Sequence, residues 1–322
     1  MKAIQINAYG TSDVIEINNN ASKPAVAEGK VLVEVYAASI NAVDWKIRAG
    51  YLKDMAPLPF PATLGGDFAG NITEVGQGVS NLKVGDEVYG TGISLAGGSG
   101  AFADFVVTKA ENIAQKPKEA DSISASALPL VGCSAIQALE EHIKLHDPSS
   151  AKATAGKEKI LIHGGAGGIG HIAIQLAKAI GAYVATTVST ADVDFVKQLG
   201  ADEVIDFKTQ KFQDLLSDYD AVYDTVGGET TIKSFKVLKK GGILVSMLGL
   251  PDQELAKQYG VTAIGQNTKT NSAHLTRLSE LVDTGKIKVH VDKVFPIDQA
   301  KEAFVYQETM HPKGKVVLKI KE

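Results

Sequence analysis

Cysteine is almost absent: Cys133 is the only one in 322 residues, so an intramolecular disulfide is excluded. Charge of one sign is not in excess either. Lys and Arg number 33 against 37 Asp and Glu, and the net charge of −4 is spread along the chain. That leaves no electrostatic footprint for nucleic acid or an anionic membrane surface. No apolar run approaches the roughly 20 residues that a helical membrane span needs. The start, Met1-Lys-Ala-Ile-Gln-Ile-Asn7, reads directly as a strand rather than as a basic-then-apolar leader. Together these absences point to a cytosolic protein without a membrane span. Internal repeats are absent as well.

What is present is the make-up of an ordinary globular protein, 44% hydrophobic and 22% charged. A chain of 322 residues exceeds the size at which one core stops growing, which predicts two domains. Residues 1–125 read as short strands between Pro and Gly clusters: Lys2–Ile6, Val31–Ala37, Gly70–Val75, Glu87–Tyr89 and Ala103–Val107. This pattern predicts a β-rich barrel or sandwich. From about 126 strands alternate with helices: Lys159–His163, a helix to Ile180, Tyr183–Val188, a helix to Leu199, then Glu203–Phe207, Asp220–Val226 and Ile243–Leu248. Such alternation predicts an α/β domain with a doubly wound parallel sheet. Past about 265 come a helix at Ala273–Asp283, a strand at Lys288–Phe295, a helix at Ile297–Gln307 and a strand at Lys315–Ile320. This tail completes neither sheet obviously. We assign it to the first domain, giving 1–125 with 266–322 for one domain and 126–265 for the domain inserted in it. Pro148–Gly156 reads as a polar loop ahead of the inserted domain.

The run Ile160-Leu-Ile-His-Gly-Gly-Ala-Gly-Gly-Ile-Gly170 carries the most chemistry. It reads as a buried strand, a glycine turn and a helix start, where a dinucleotide pyrophosphate sits on free helix N–H groups. Gly165, Gly167 and Gly170 fit G-x-G-x-x-G: the first for the tight turn, the second for backbone approach to the phosphates, the third for packing helix on strand. A flexible glycine loop is the plain alternative, and the strand before and helix after argue against it.

Several dispersed motifs, in order, resemble the medium-chain dehydrogenase/reductase superfamily: Asn41-Ala-Val-Asp44, Leu64-Gly-Gly-Asp-Phe-Ala-Gly70 with Val75-Gly76, Val84-Gly-Asp-Glu-Val88, Leu199-Gly-Ala-Asp202, Asp224-Thr-Val-Gly227 and Gly314-Lys-Val-Val317. Asp44-Trp-Lys46, Val188-Ser-Thr190 and Asp206-Phe207 resemble its zinc-free quinone oxidoreductase branch, and within that the NADPH-dependent alkenal/one oxidoreductases. The resemblance implies a Rossmann nucleotide-binding domain inserted in a β-rich GroES-like catalytic domain, and a homodimer. It also implies cofactor contacts from Lys46, Ser134, Gly168, Ile169, Ser189, Thr190, Phe207, Val226, Gly227, Leu248 and Gly249, and catalytic positions at Asn41 and Tyr51. Ser134 would take the place of a nicotinamide-contacting Thr. Plain alternatives stand beside three of these: a rim aromatic for Tyr51, a solvated charge for Lys46, a turn residue for Asn41.

The metal positions of the superfamily's zinc enzymes are not filled here. Asn41 and Gly65-Gly66-Asp67 stand where a Cys and a Gly-His-Glu would lie, and no four-cysteine cluster exists. His142 and His146 are one helical turn apart, which a solvated face explains as well as a metal would. Without a Lewis acid, a nicotinamide can reduce an acceptor that is already electrophilic, a quinone or an α,β-unsaturated carbonyl. Tyr183–Thr190 contains no acid to hold a ribose 2′-OH, and Ser189 and Thr190 suit a 2′-phosphate, which favours NADPH. Asp192 would repel that phosphate. The alternatives are a non-catalytic nucleotide-binding or structural protein of the same fold, and an NAD-linked alcohol dehydrogenase.

Overall fold

The computed structural model describes residues 1–145 and 157–321. Pro148–Gly156 and His146, singled out above, lie outside the described residues. The chain divides into two compact units. One comprises Met1–Cys133, Thr270–Gly285 and Val289–Glu322, the other Ser134–Lys269 and Lys286–Lys288.

The first unit is built on the long strand Lys30–Ile40, whose apolar residues are buried nearly throughout. Such a run needs partners on both edges. It pairs antiparallel with Asp67–Val75 on one side, and on the other with Phe105–Lys109 and Lys315–Lys319. Glu87–Thr91 and Ile113–Gln115 extend the sheet one way and Val291–Pro296 the other. A smaller sheet joins Ile15–Asn18, Ala3–Ile6 and Ala62–Thr63. The tail therefore completes the first sheet after all, by pairing Lys315–Lys319 with Ala37–Ile40. Its helix Ala300–Thr309 buries Ala300, Ala303 and Phe304 in the same core as Phe68 and Phe102, with the Phe102 and Phe304 rings edge to face at 5.9 Å.

Among the described residues the second unit holds six parallel strands. The earliest in the chain, Lys159–His163, is central; Tyr183–Val188 and Glu203–Asp206 lie to one side, Tyr219–Asp224, Leu238–Ser246 and Thr262–Gly265 to the other. The strand order thus reverses beside Lys159–His163, the arrangement of a doubly wound dinucleotide-binding sheet. The last strand, Thr262–Gly265, was not anticipated, because four residues with only Ala263 buried carry little pattern. The helix Gly168–Ile180 buries Ile172, Ala173, Ile174, Leu176 and Ala177 and stops at Gly181, whose φ of 105° closes a left-handed cap.

The unit boundaries differ from the expected 125/126 and 265/266, for identifiable reasons. The helix Ser122–Ser126 packs on Lys30–Ile40 and Asp67–Val75, which keeps it with the first unit. On the return, the helix Ser272–Asp283 is tied to that unit by Tyr89, whose hydroxyl donates to the Leu275 carbonyl at 2.6 Å. Lys288 belongs to the second because Gln175 both donates to and accepts from its backbone, at 2.9 Å each way. Among the described residues no helix is long and apolar enough to cross a membrane.

Candidate functional site

In the second unit the candidate residues gather by topology. Because all six strands are parallel, their carboxyl ends share one edge, and each candidate loop leaves from that edge. Gly164–Gly167 follow Lys159–His163, Ser189–Thr190 follow Tyr183–Val188, and Phe207 follows Glu203–Asp206. Val226–Gly227 follow Tyr219–Asp224, and Leu248–Gly249 follow Leu238–Ser246. Phe207, Val226 and Leu248 are 59%, 52% and 47% exposed, so this edge presents apolar faces to solvent. Ligands of open parallel sheets bind at such an edge, beside the switch in strand order.

The glycine turn divides its work differently from the expectation. The left-handed residue is Gly164, at φ 71°, one position before the first glycine of the motif. Gly165 is needed because a Cβ there would strike the Thr186 hydroxyl, and Gly170 because a Cβ would strike the Gly164 carbonyl. Gly167 is the exception. It begins the helix Gly168–Ile180 in extended conformation, and a Cβ would meet only the Gly164 carbonyl, at 3.3 Å. A side chain there would meet far less obstruction from the fold than at Gly165 or Gly170. The adjoining N–H groups of Gly168, Ile169 and Gly170 belong to the first turn of that helix, where donors lack intrahelical partners.

Two buried side chains brace this edge: His163, expected from the sequence to support the glycine turn, and Asp224, which the sequence reading left without a site role. His163 bridges the Thr187 and Ser234 hydroxyls at 2.9 Å each, as a support for the turn should, and burial pushes its pKa down to about 4, so it is neutral. Asp224 accepts from the backbone N–H of Val226 and Gly227 at 2.9 and 3.0 Å and from the Thr231 hydroxyl, which fixes the Val226–Gly227 turn. An Asp two residues before Val226 and three before Gly227 is the local signal that would have found it. The Ser189 hydroxyl donates to Asp192 at 2.7 Å and the Thr190 hydroxyl to Asp206 at 2.6 Å, holding the Asp206 carboxyl below its usual range. Ser134 is placed otherwise than expected. It is fully buried, its hydroxyl shared with Thr268 at 2.8 Å and its carbonyl accepting from Tyr223 and Gln266, so it presents no surface at this edge.

In the first unit Asn41, Lys46 and Tyr51 do not stand as three equivalent donors. Asn41 begins the helix Ala42–Arg48, and its backbone N–H donates to Asp44 at 2.7 Å. Its side chain is 5% exposed: the amide nitrogen donates to Asp67 at 2.9 Å, and the amide oxygen accepts from the Lys315 ammonium. Lys315 also donates to the Ile40 carbonyl at 2.9 Å, and Asp67 accepts from the Leu130 N–H at 3.0 Å. Burial raises Asp44 to about 7 and raises Asp67 against the pull of Lys315; burial also lowers Lys315, to about 8, against the pull of both carboxyls. Lys46 and Tyr51 lie apart from this cluster. Both meet Trp45: the Lys46 ammonium is 5.7 Å from its ring centre, and the Tyr51 ring is edge to face with it at 5.8 Å. Tyr51 is 73% exposed. Lys315 was not anticipated as a site residue, because it sits 274 residues from Asn41 in the chain.

Comparison with known proteins bears on what this arrangement serves. Residues 27–118 match the family described as Alcohol dehydrogenase GroES-like domain, and residues 199–318 the one described as Zinc-binding dehydrogenase. The chain is 37% identical to a 2-methylene-furan-3-one reductase of Solanum lycopersicum, over 99% of this chain and 79% of that protein. It is 36% identical to the chloroplastic NADPH-dependent alkenal/one oxidoreductase of Arabidopsis thaliana, with the same coverage of each. The chain belongs to the medium-chain dehydrogenase/reductase superfamily. The solved quinone oxidoreductase from Coxiella burnetii superposes with a TM-score of 0.87 at 32% identity, covering 100% of this chain and 99% of that one, which places the chain among the quinone oxidoreductase-like members of the superfamily. A zinc ion, named in one family description, does not fit the donors present. Gly66 offers no side chain, Asn41 and Asp67 are turned to each other, and the Lys315 ammonium sits on Asn41. Among the described residues no three His, Cys, Asp or Glu side chains converge as a metal site.

Proposed function

We propose that the protein is an NADPH-dependent, zinc-independent reductase of quinones or α,β-unsaturated carbonyls. The observation that carries the reading is the set of candidate loops on one edge of the parallel sheet, with Gly167 the least obstructed glycine of the motif. Gly167, Gly168, Ile169 and Gly170 would hold the pyrophosphate on the first turn of their helix. Ser189 and Thr190 would hold the 2′-phosphate by turning their hydroxyls from Asp192 and Asp206 toward it. Phe207, Val226, Gly227, Leu248 and Gly249 would line the rest of the cofactor, with Ser134 supporting that lining from beneath. When bound, NADPH supplies hydride.

On the acceptor side the reading assigns Asn41, Lys46 and Tyr51. Asn41 spends its amide oxygen on Lys315 and one amide hydrogen on Asp67. Its second N–H is what it can offer to an oxygen gaining negative charge. Lys46 is a contact of the cofactor, and Tyr51 an exposed aromatic wall. The donor set supports an acceptor that needs no Lewis acid, because the groups at the metal positions already satisfy one another. Against the NAD-linked alcohol dehydrogenase stand the groups at the metal positions, which leave no donor set for a zinc ion.

Steady-state assays test this: NADPH and NADH against a panel of quinones, enals, enones, saturated aldehydes and simple alcohols. Turnover with quinones or conjugated carbonyls and poor use of saturated aldehydes is expected. Efficient alcohol oxidation, or nucleotide binding without turnover on any acceptor, would overturn the reading. We take the protein to act in the cytosol as a homodimer. Among the described residues the strand Thr262–Gly265 is the last of its sheet, an edge that could meet another copy, and light scattering on the purified protein checks the mass.

A further inference from the structure

We propose that Lys208 is the cation that selects nucleotides carrying a 2′-phosphate, and that Asp206 is the carboxylate that competes with the phosphate for it. This rests on the assignment of the 2′-phosphate to Ser189 and Thr190, and names the charge that such a group needs there. A phosphate monoester brings about −1.5 to −2 charges at neutral pH. Asp192 and Asp206 hold the two hydroxyls, so without a cation the place would favour a nucleotide that lacks the group.

The backbone sets Lys208 beside those hydroxyls. The strands Tyr183–Val188 and Glu203–Asp206 run parallel with Val188 opposite Asp206, and the Phe207 N–H donates to the Val188 carbonyl at 3.1 Å. Ser189–Thr190 and Phe207–Lys208 therefore leave the sheet side by side. Asp206 joins the two exits: Oδ2 accepts from the Thr190 hydroxyl at 2.6 Å and Oδ1 from the Lys208 backbone N–H at 3.0 Å. The Asp206 carbonyl accepts from the Thr209 and Gln210 N–H groups at 3.1 and 2.8 Å, and its N–H donates to the Gln210 side chain at 3.0 Å. These bonds close the turn that carries Lys208. The Thr190 hydroxyl, and after it the Lys208 N–H and ammonium charge, hold the Asp206 carboxyl below its usual range, so it is ionised at neutral pH. Lys208 is exposed, and among the described residues its ammonium makes no hydrogen bond or ion pair. The lysines on either side in the chain are placed elsewhere. Lys197 lies in the last turn of the helix Val193–Gln198, which leads back from this edge toward the start of the next parallel strand, and Lys211 lies past the turn, at the cap of the helix Phe212–Leu215. Binding turns the Thr190 hydroxyl from Asp206 to the phosphate and trades the pull of Asp206 on Lys208 for that of the phosphate. One cation works against two carboxylates, so the preference is modest and falls with salt.

The test is calorimetric titration of the full chain with 2′,5′-ADP, 5′-AMP, NADPH and NADH at low and high salt, for the wild type, Lys208→Gln, Lys208→Arg, Asp206→Asn and Thr190→Val. Lys208 gives the turn only its backbone N–H, so its variants should fold as the wild type does by circular dichroism. Lys208→Gln should weaken 2′,5′-ADP and NADPH about fivefold, the scale of a solvent-screened pair, and leave 5′-AMP and NADH unmoved. Lys208→Arg should keep the wild-type affinities. Asp206→Asn, whose amide still offers an oxygen to the turn, should tighten 2′,5′-ADP about threefold. The wild-type preference for 2′,5′-ADP over 5′-AMP should shrink as salt rises, and that slope should flatten in Lys208→Gln. A folded Lys208→Gln with the wild-type ratio of 2′,5′-ADP to 5′-AMP affinity, beside a Thr190→Val that lowers it, removes Lys208 and leaves the site intact. Unchanged affinities in Asp206→Asn remove the competition. If no variant moves the ratio, the assignment of the 2′-phosphate to this loop falls, and the proposal with it.

Discussion

His163 is fully buried and neutral, which makes it an acid-sensitive point. Its folded pKa of about 4 lies below the unfolded value near 6.5, so the unfolded chain binds the extra proton between them. The stability it contributes is complete above about 6.5 and is lost as pH falls toward 4. The fall is about 3 kcal/mol. Urea denaturation across this range checks it, and His163→Gln, which has no proton to bind, should lose less than the wild type. Asp192 is the second residue with a sharp consequence. It holds the Ser189 hydroxyl and brings negative charge toward the place proposed for a 2′-phosphate. Asp192→Asn should raise kcat/KM for NADPH relative to NADH by about fivefold, or about 1 kcal/mol, a modest effect because solvent screens the pair. An unchanged ratio would remove Asp192 from cofactor choice.

At the scale of elements, the strand, turn and helix from Lys159 to Ile180 separate glycines that the fold requires from Gly167, to which the reductase reading assigns the pyrophosphate. Gly167→Val should leave the urea midpoint within about 0.5 kcal/mol of wild type and abolish NADPH binding by titration, because its side chain would fill the space for the pyrophosphate. Gly170→Ala should do the reverse in order of severity. It drives a methyl into the Gly164 carbonyl and should destabilise by about 1–3 kcal/mol, whatever ligand is present. Equal loss of stability in both variants would refute the division. This motif was legible because its parts are consecutive. Even so, the reading placed the tight turn at Gly165, whereas the left-handed residue is Gly164, since which of two adjacent glycines turns depends on where Thr186 of the neighbouring strand lies.

For the molecule as a whole, the zinc-independent reading predicts that purified, active enzyme contains no stoichiometric zinc, and that prolonged chelation leaves NADPH-dependent reduction unchanged. Loss of activity on chelation, regained with zinc, would refute it. The reason lies in Asn41, Asp67 and Lys315, which satisfy one another where donors for a metal would have to converge. By itself the sequence determined whatever is periodic or consecutive: two classes of domain, the glycine turn, the missing acid in Tyr183–Thr190, and the places where zinc ligands are replaced. Only the tertiary structure decided which distant groups meet. It set Lys315 on Asn41, buried Ser134 against Thr268, joined the tail to the first sheet, and left Asp44 with one buried oxygen that has no hydrogen-bond partner among the described residues. Local pattern records which face of an element is apolar. Burial of polar groups depends instead on partners hundreds of residues away, and nothing in the chain's periodicity encodes those pairings.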